Sequence, residues 1–230
     1  MPGMTVSPDE VARFDALAER WWEPDGPMRP LHRMNPARVA WIVERLPPGL
    51  RILDIGCGAG LAAEALAREG FDVLGLDAAG EAIEAARAHA MGQDLPLAYR
   101  TGAPEDLLAE PARYPVITAL EVIEHVPDPE AFLAALAALL EPGGHLFLST
   151  LNRTPQSFLA AKVGAEYLLR WLPRGTHNWR RFITPVELGG MLRRAGLRVA
   201  DTTGLVPNPL TGRWAAGRNL SVNYLVAARG

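Results

Sequence analysis

Leu53-Asp54-Ile55-Gly56-Cys57-Gly58-Ala59-Gly60, followed by the apolar run Phe71–Leu76 and then Asp77, decides the fold. A short apolar strand runs into a glycine turn, a helix and a second strand ending in a carboxylate, the nucleotide end of a Rossmann-like unit. Glycine allows positive φ and lets the backbone touch a ligand where a Cβ would clash. Asp77 lies 21 residues beyond Gly56, about where a ribose-binding acid belongs. Spacing also separates the candidate ligands. A dinucleotide fingerprint needs G-x-G-x-x-G, but the third glycine comes one residue early, at Gly60, and Leu61 fills the slot. The turn begins with an acid, Asp54, and holds no basic residue to meet a pyrophosphate. A nicotinamide-dependent oxidoreductase is therefore the disfavoured rival. A glycine cluster that is only a turn leaves the position of Asp77 without a purpose.

Working outward, helix and strand signals alternate, which implies an α/β protein with a mostly parallel sheet. Strands are expected at Arg51–Ile55, Phe71–Leu76, Leu97–Thr101, Val116–Leu120, His145–Thr150, Leu197–Thr202 and Ser221–Ala228, the last antiparallel. Ser7-Pro8-Asp9-Glu10 reads as a capping box opening a helix that runs to about Arg20. A second helix begins near Pro36 and ends before Pro47-Pro48, so residues 1–47 form an N-terminal helical cap. Further helices are expected over Gly60–Arg68, Gly80–Met91, Pro129–Leu140 and from Thr184 to Gly196. The whole chain, 1–230, reads as one domain.

Bulk properties narrow the function. The 230 residues are 49% hydrophobic, enough for a sizeable core, and the net charge of −3 argues against nucleic acid as a partner. The single cysteine, Cys57, excludes a disulfide framework and fits a reducing compartment. The N-terminus runs directly into Asp9 and Glu10, and no apolar stretch reaches about 18 residues. Neither a leader nor a spanning helix is expected, and the default is a cytoplasmic protein.

Residues 153–182 stand outside the alternation. Phe158, Ala161, Ala165, Leu168, Leu169 and Leu172 follow helical spacing. Arg153, Lys162, Arg170, Arg174, Arg180 and Arg181 face a single acid, Glu166, with Trp171 and Trp179 alongside. The stretch is an amphipathic lid that packs its apolar face on the core. A second reading has it also rest on an anionic membrane surface, making the protein peripheral on the inner face of the cytoplasmic membrane. A purely lipid-binding module without catalysis is a further rival.

Asp-x-Gly-x-Gly-x-Gly resembles the first motif of class I methyltransferases, which bind S-adenosylmethionine. That resemblance covers roughly residues 50–150. It implies that Gly56, Gly58 and Gly60 approach the methionine end and ribose and that Asp77 holds the ribose hydroxyls. Ala103-Pro104-Glu105 would flank the adenine, and Leu120 would meet the adenine or the sulfur side. Further segments are similar to one family, the ubiquinone biosynthesis O-methyltransferases. They are Arg20-Trp21-Trp22, Pro30–Pro36, Glu124–Pro129, Ser149–Arg153, Val163–Tyr167, Pro173–His177 and Asn219–Tyr224. The resemblance implies a Rossmann-like class I methyltransferase fold, with a seven-stranded mostly parallel sheet, helices on both faces and an inserted helical lid. It implies O-methylation of a polyprenylated catechol-type ring, including 3-demethylubiquinol; the nearest alternative is a class I methyltransferase acting on another small molecule, by O- or C-methylation. By position Arg38 resembles the family arginine that reaches the cofactor carboxylate. Other quinone-biosynthesis enzymes are candidate partners.

A phenol with a pKa near 10 needs a base, a metal, or both to react at neutral pH. Glu121, Glu124 and His125, at the carboxyl end of the fourth strand, are the candidates. In a helix their i, i+3 and i+4 spacing would share one face. Two carboxylates and an imidazole could hold magnesium and leave positions open for catechol oxygens. The family resemblance carries the same implication. Alternatively, Glu124 and His125 act without metal, with His125 as base. His32 and His177 are assigned to positioning a lid or cap.

Overall fold

The computed structural model describes residues 5–159, 179–208 and 212–230. One sheet organises them. Its strands are β1 (Arg51–Ile55), β2 (Asp72–Asp77), β3 (Leu97–Thr101), β4 (Tyr114–Leu120), β5 (Leu140–Leu151), β6 (Arg198–Pro207), β7 (Trp214–Gly217) and β8 (Asn223–Arg229). Their order is β3-β2-β1-β4-β5-β8-β6-β7. The first five are parallel, β8 runs antiparallel between β5 and β6, and β7 closes the edge antiparallel to β6.

The chain reverses direction across the sheet between β1 and β4. In such sheets the carboxyl ends flanking this point form the ligand crevice. The glycine turn follows β1, and Glu121–His125 follows β4, so the topology brings both sequence signals to the same crevice.

Helices cover both faces. They are α1 (Pro8–Asp15), α2 (Arg29–Val43), α3 (Leu61–Arg68), α4 (Gly80–Ala90), α5 (Pro104–Leu107), α6 (Pro129–Leu139), α7 (Pro155–Ser157) and α8 (Pro185–Arg194). The central strands are buried on both faces and read as continuous apolar runs, as parallel strands do. One core packs α6 and α8 against the sheet through Phe132, Leu136, Leu188 and Leu192. The other packs α2 and α3 through Trp41, Ile42, Ala63 and Leu66.

Four sequence expectations need correction. The sheet has eight strands, not seven, because β6 continues to Pro207 and returns as Trp214–Gly217. Four residues rich in Ala and Gly carry little strand signal. The second helix starts at Arg29 and runs through Pro36, with Pro30 in its first turn. Pro36 removes one internal hydrogen bond, a cost of about 3 kcal/mol. Burial of Met34, Val39, Trp41 and Ile42 on both sides of it outweighs that cost. The first helix stops at Asp15 and gives way to a separate 3-10 turn at Ala18–Arg20. Finally, β5 begins at Leu140 rather than His145, with Glu141–Gly144 bulging between the Tyr114–Leu140 and Val116–His145 pairs. Most of the 153–182 lid, from 160 to 178 and including His177, lies outside the described residues.

Asp128 caps α6, its Oδ1 accepting from the Glu130 and Ala131 amides at 3.0 Å each. Asp128→Ala should cost about 1 kcal/mol and lower the midpoint of thermal unfolding by about 2–4 °C, measured by calorimetry.

Candidate active site

The glycine turn is held from below and from the side. The Gly56 and Cys57 amides donate to the Leu76 carbonyl at 2.7 and 3.2 Å. The Gly58 amide donates to Asp77 Oδ2 at 2.7 Å, and the Ala79 amide to Asp77 Oδ1 at 2.8 Å. Burial pushes the Asp77 carboxyl up, and these backbone donors pull against it. Gly60 caps α3 with φ of +90°, and a Cβ there would sit 2.0 Å from the Tyr99 hydroxyl oxygen. A side chain at this position is excluded by backbone conformation and by space. The Cys57 thiol is free and buried, and burial pushes its pKa up, so it is a small apolar filler rather than a nucleophile.

A cavity of about 460 Å³ opens above this turn. Gly56, Gly58, Asp77, Ala103, Pro104, Leu120, Glu121, Glu124 and His125 all line it. Nine of the residues singled out from sequence therefore share one wall. Arg38 and Gly60 do not line it. Gly60 lies against Tyr99, and Arg38 is buried on α2.

Arg38 is held by its own helix. Its Nη2 donates to Asn35 Oδ1 at 3.1 Å, while Asn35 Nδ2 donates to the Leu61 carbonyl at 2.7 Å. Burial lowers the Arg38 pKa, and the charges of Glu121 and Asp54 oppose that. Asp54 receives the Thr118 hydroxyl at 2.6 Å across the β1–β4 pair. Burial still pushes its carboxyl up to about 6. Arg38 Nε and Asp54 Oδ2 are buried without a hydrogen-bond partner among the described residues. Such orphaned atoms beside a bare glycine turn fit a bound group with both a carboxylate and an ammonium, as S-adenosylmethionine has.

The segment after β4 is a turn, so the shared face that a helix would give Glu121, Glu124 and His125 is not formed. Glu121 adopts φ of +59°, uncommon for a residue with a Cβ. Its amide donates to the Ser149 carbonyl at 3.0 Å, and its Oε1 accepts from Ser149 Oγ at 2.7 Å and Asn223 Nδ2 at 3.0 Å. Glu124 accepts from the Thr150 hydroxyl at 2.9 Å. Burial, and next the Glu121 carboxylate, raise its pKa to about 7. His125 Nδ1 lies 3.1 Å from Glu10 Oε2. Burial disfavours the His125 cation, but the Glu10 hydrogen bond and the charges of Glu124, Glu10 and Glu121 prevail and raise the pKa.

These three side chains thus point to different partners. Among the described residues, no group of three His, Cys, Asp or Glu side chains is arranged to hold a metal ion. Glu121, Glu124 and His125, among the described residues, are not gathered as the expected magnesium set. What the arrangement offers instead is the Glu124 carboxyl, pushed up to about 7, and an imidazole whose pKa is raised by neighbouring carboxylates, both lining the cavity and suited to accepting a proton.

Glu10, Ser149 and Asn223 enter the site without having been singled out. Ser7 holds the N-cap position of α1 but its side chain makes no capping bond, and Glu10 turns to His125 instead. The only sequence signal at Glu10 was the capping pattern, which pointed elsewhere. His32, assigned to a cap, ties α2 to the 3-10 segment through Nε2 and the Trp21 carbonyl, 2.8 Å apart.

Comparisons with known proteins identify the family. A family model described as a methyltransferase domain matches residues 29–202. Three relatives carry the name ubiquinone biosynthesis O-methyltransferase. That of Cereibacter sphaeroides is 48% identical, with 97% of this chain and 96% of the relative covered. That of Methylobacterium nodulans is 48% identical, covering 98% and 96%. That of Marinobacter nauticus is 46% identical, covering 100% and 98%. Among solved structures, magnesium protoporphyrin IX methyltransferase from Synechocystis PCC 6803 with bound SAH superposes with a TM-score of 0.66. It is 21% identical over 96% of this chain and 99% of that one, which supports the fold alone. Fold, glycine turn and matched domain together define a class I S-adenosylmethionine-dependent methyltransferase. Within that class, the chain belongs to the ubiquinone biosynthesis O-methyltransferase family.

Asp54 allows a test of the buried acid. Its folded pKa of about 6 exceeds the ordinary 3.8, so its contribution to stability is complete below pH 3.8 and is lost as pH rises through 6. Asp54→Asn should therefore gain on the wild type across that window, by about 3 kcal/mol at most, and hold a constant margin above it. Thermal unfolding of the ligand-free protein between pH 4 and 8 measures this.

Proposed function

We propose that this protein transfers the methyl group of S-adenosylmethionine to catechol-type hydroxyls of polyprenylated intermediates in ubiquinone biosynthesis, including 3-demethylubiquinol to ubiquinol. The observation that carries the reading is 46–48% identity, over nearly the whole chain, to proteins bearing that name. The donor supplies a methyl already activated on a sulfonium. The protein's part is to align the acceptor and manage one proton, and alignment alone is worth about 7–11 kcal/mol in well-oriented systems.

Gly56, Gly58 and Asp77, with Ala103, Pro104 and Leu120 in the same wall, would hold the nucleoside part. Arg38 is buried outside the cavity lining and would have to turn into it to meet the carboxylate. The acceptor hydroxyl would lie against His125, which takes its proton, with Glu124 beside it stabilising the charge that forms. No step is assigned to magnesium, since its expected ligands do not converge.

The described flanks of the insertion support contact with an anionic membrane. Phe158, Leu159 and Val186 are exposed apolar residues. Arg153, Arg180, Arg181 and Arg194 line a groove that also includes Val186. Such a surface would let the ring enter while the tail stays in lipid. Among the described residues, no helix is long and apolar enough to cross a membrane.

Calorimetric titration should show S-adenosylmethionine binding in the micromolar range, NAD failing to bind, and Asp77→Ala weakening the donor by about tenfold or more. Absence of donor binding would overturn the reading. His125→Ala should lower kcat by about 100-fold with a polyprenyl catechol as acceptor. Activity abolished by EDTA and restored by magnesium would instead require Glu121–His125 to rearrange into a metal site. For the membrane contact, Leu159→Ser with Val186→Ser should reduce sedimentation with phosphatidylglycerol vesicles and leave activity on a short-tailed acceptor intact. Unchanged sedimentation would dismiss this surface.

A further inference from the structure

The N-terminal segment is docked by polar latches and by the half-buried Phe14 and Leu17, which pack against the small cluster of Trp21, Met28, Ala59 and Leu61. No residue of α1 is buried. At one end the Thr5 amide and hydroxyl donate to the two Glu105 carboxylate oxygens at 2.9 and 2.8 Å. At the other, Asp15 Oδ1 accepts from the Glu81 amide at 2.9 Å. Between them Glu10, Val11, Phe14 and Leu17 form part of the cavity wall. Segments with so little burial belong to the low-stability end of a fold.

The middle latch falls on the reacting residue. Glu10 Oε2 is 3.1 Å from His125 Nδ1, and the Phe14 ring meets the imidazole edge-on with centroids 5.3 Å apart. Arg13 donates to the Glu10 carboxylate at 3.1 and 3.3 Å, and Arg181 approaches its other oxygen at 3.6 Å. Glu10 is thereby kept ionised, held below its ordinary pKa first of all by the His125 hydrogen bond, against burial. No hydrogen bond reaches His125 Nε2 among the described residues.

We propose that Glu10 is a positioning residue for methyl transfer: with α1 docked, its carboxylate holds a proton on His125 Nδ1 and leaves Nε2 as the acceptor for the substrate hydroxyl. An isolated neutral imidazole favours the opposite tautomer, so the proton acceptor is assembled only when the N-terminal helix covers the cavity. Closure then excludes water and completes the site in one motion. In the transfer, the substrate oxygen bonds to the methyl carbon as the carbon–sulfur bond breaks and its electron pair returns to sulfur. The hydroxyl proton passes to Nε2, and the imidazolium keeps its Nδ1–H on Glu10. The proton on Nε2 leaves to water when α1 lifts. The proposal rests on the methyl-transfer reading above, and α1 adds to it a residue 115 positions away in sequence from the imidazole it orients.

Glu10→Ala, Glu10→Gln and Glu10→Asp in the full chain test it with two readouts. Long-range proton–nitrogen spectra of the ligand-free, ¹⁵N-labelled protein, at a pH where the ring is neutral, report the tautomer of His125. His125→Ala identifies the signals. The wild type should show the Nδ1-protonated ring, Glu10→Ala a shift to the Nε2-protonated form, and Glu10→Asp a partial return. In turnover, Glu10→Ala should lower kcat by about 10- to 100-fold while KM for S-adenosylmethionine stays within about twofold, with Glu10→Asp recovering part of the loss. An unchanged tautomer, or an unchanged kcat, in Glu10→Ala overturns the proposal. If His125→Ala itself keeps full activity, the assignment of His125 as proton acceptor falls, whatever Glu10 does. If His125→Ala is impaired and Glu10→Ala is not, only this inference falls.

Discussion

The Asp77 carboxylate receives the Gly58 and Ala79 amides, and the rest of the site hangs on that clamp. It joins the turn after β1 to the end of β2, so the glycine backbone cannot drift from the strand that carries the acid. Burying a carboxylate is costly unless its lone pairs are filled. Here the donors are backbone groups, which cannot rotate away. The clamped turn in turn fixes where α3 begins, at Gly60. The Leu61 carbonyl is then in place for Asn35, and Asn35 for Arg38. The backbone of the turn thus connects the acid that ends β2 to the Leu61 carbonyl, and hydrogen bonds through Asn35 lead on to the buried arginine on α2.

Across the switch point, the turn after β4 is supported by different strands. Ser149 and Thr150 reach it from β5, and Asn223 from the antiparallel β8. These contacts hold Glu121 in a backbone conformation of higher energy, a cost met at functional sites when surrounding structure over-determines the geometry. They also aim Glu121, Glu124 and His125 at separate partners. Burial and then the Glu121 charge raise the Glu124 pKa, and the nearby carboxylates make the His125 imidazole the stronger base.

Legibility in the sequence followed the range of the interactions. The glycine turn, Asp77 and the parallel strands were readable because apolar runs and a fixed loop-to-acid distance are local properties. Local rules failed where a distant surface took over. Pro36 should end a helix, yet α2 passes through it because both flanks are buried. Ser7 and Glu10 match a capping box, yet Glu10 leaves it for His125. The i, i+3, i+4 pattern at Glu121–His125 would share one face in a helix, yet bonds to β5 and β8 hold the segment as a turn.

By itself the sequence determined the class of fold, the nucleoside end of the site and, through family likeness along the chain, the reaction. Each of these rests on short-range spacing or on many positions read together. Tertiary structure alone decided which groups face one another: Thr118 on Asp54, Asn223 on Glu121, and Glu10 on His125. The physical reason is that a hydrogen bond between residues far apart in the chain leaves no periodicity in either segment, so only the folded arrangement of strands and helices creates it.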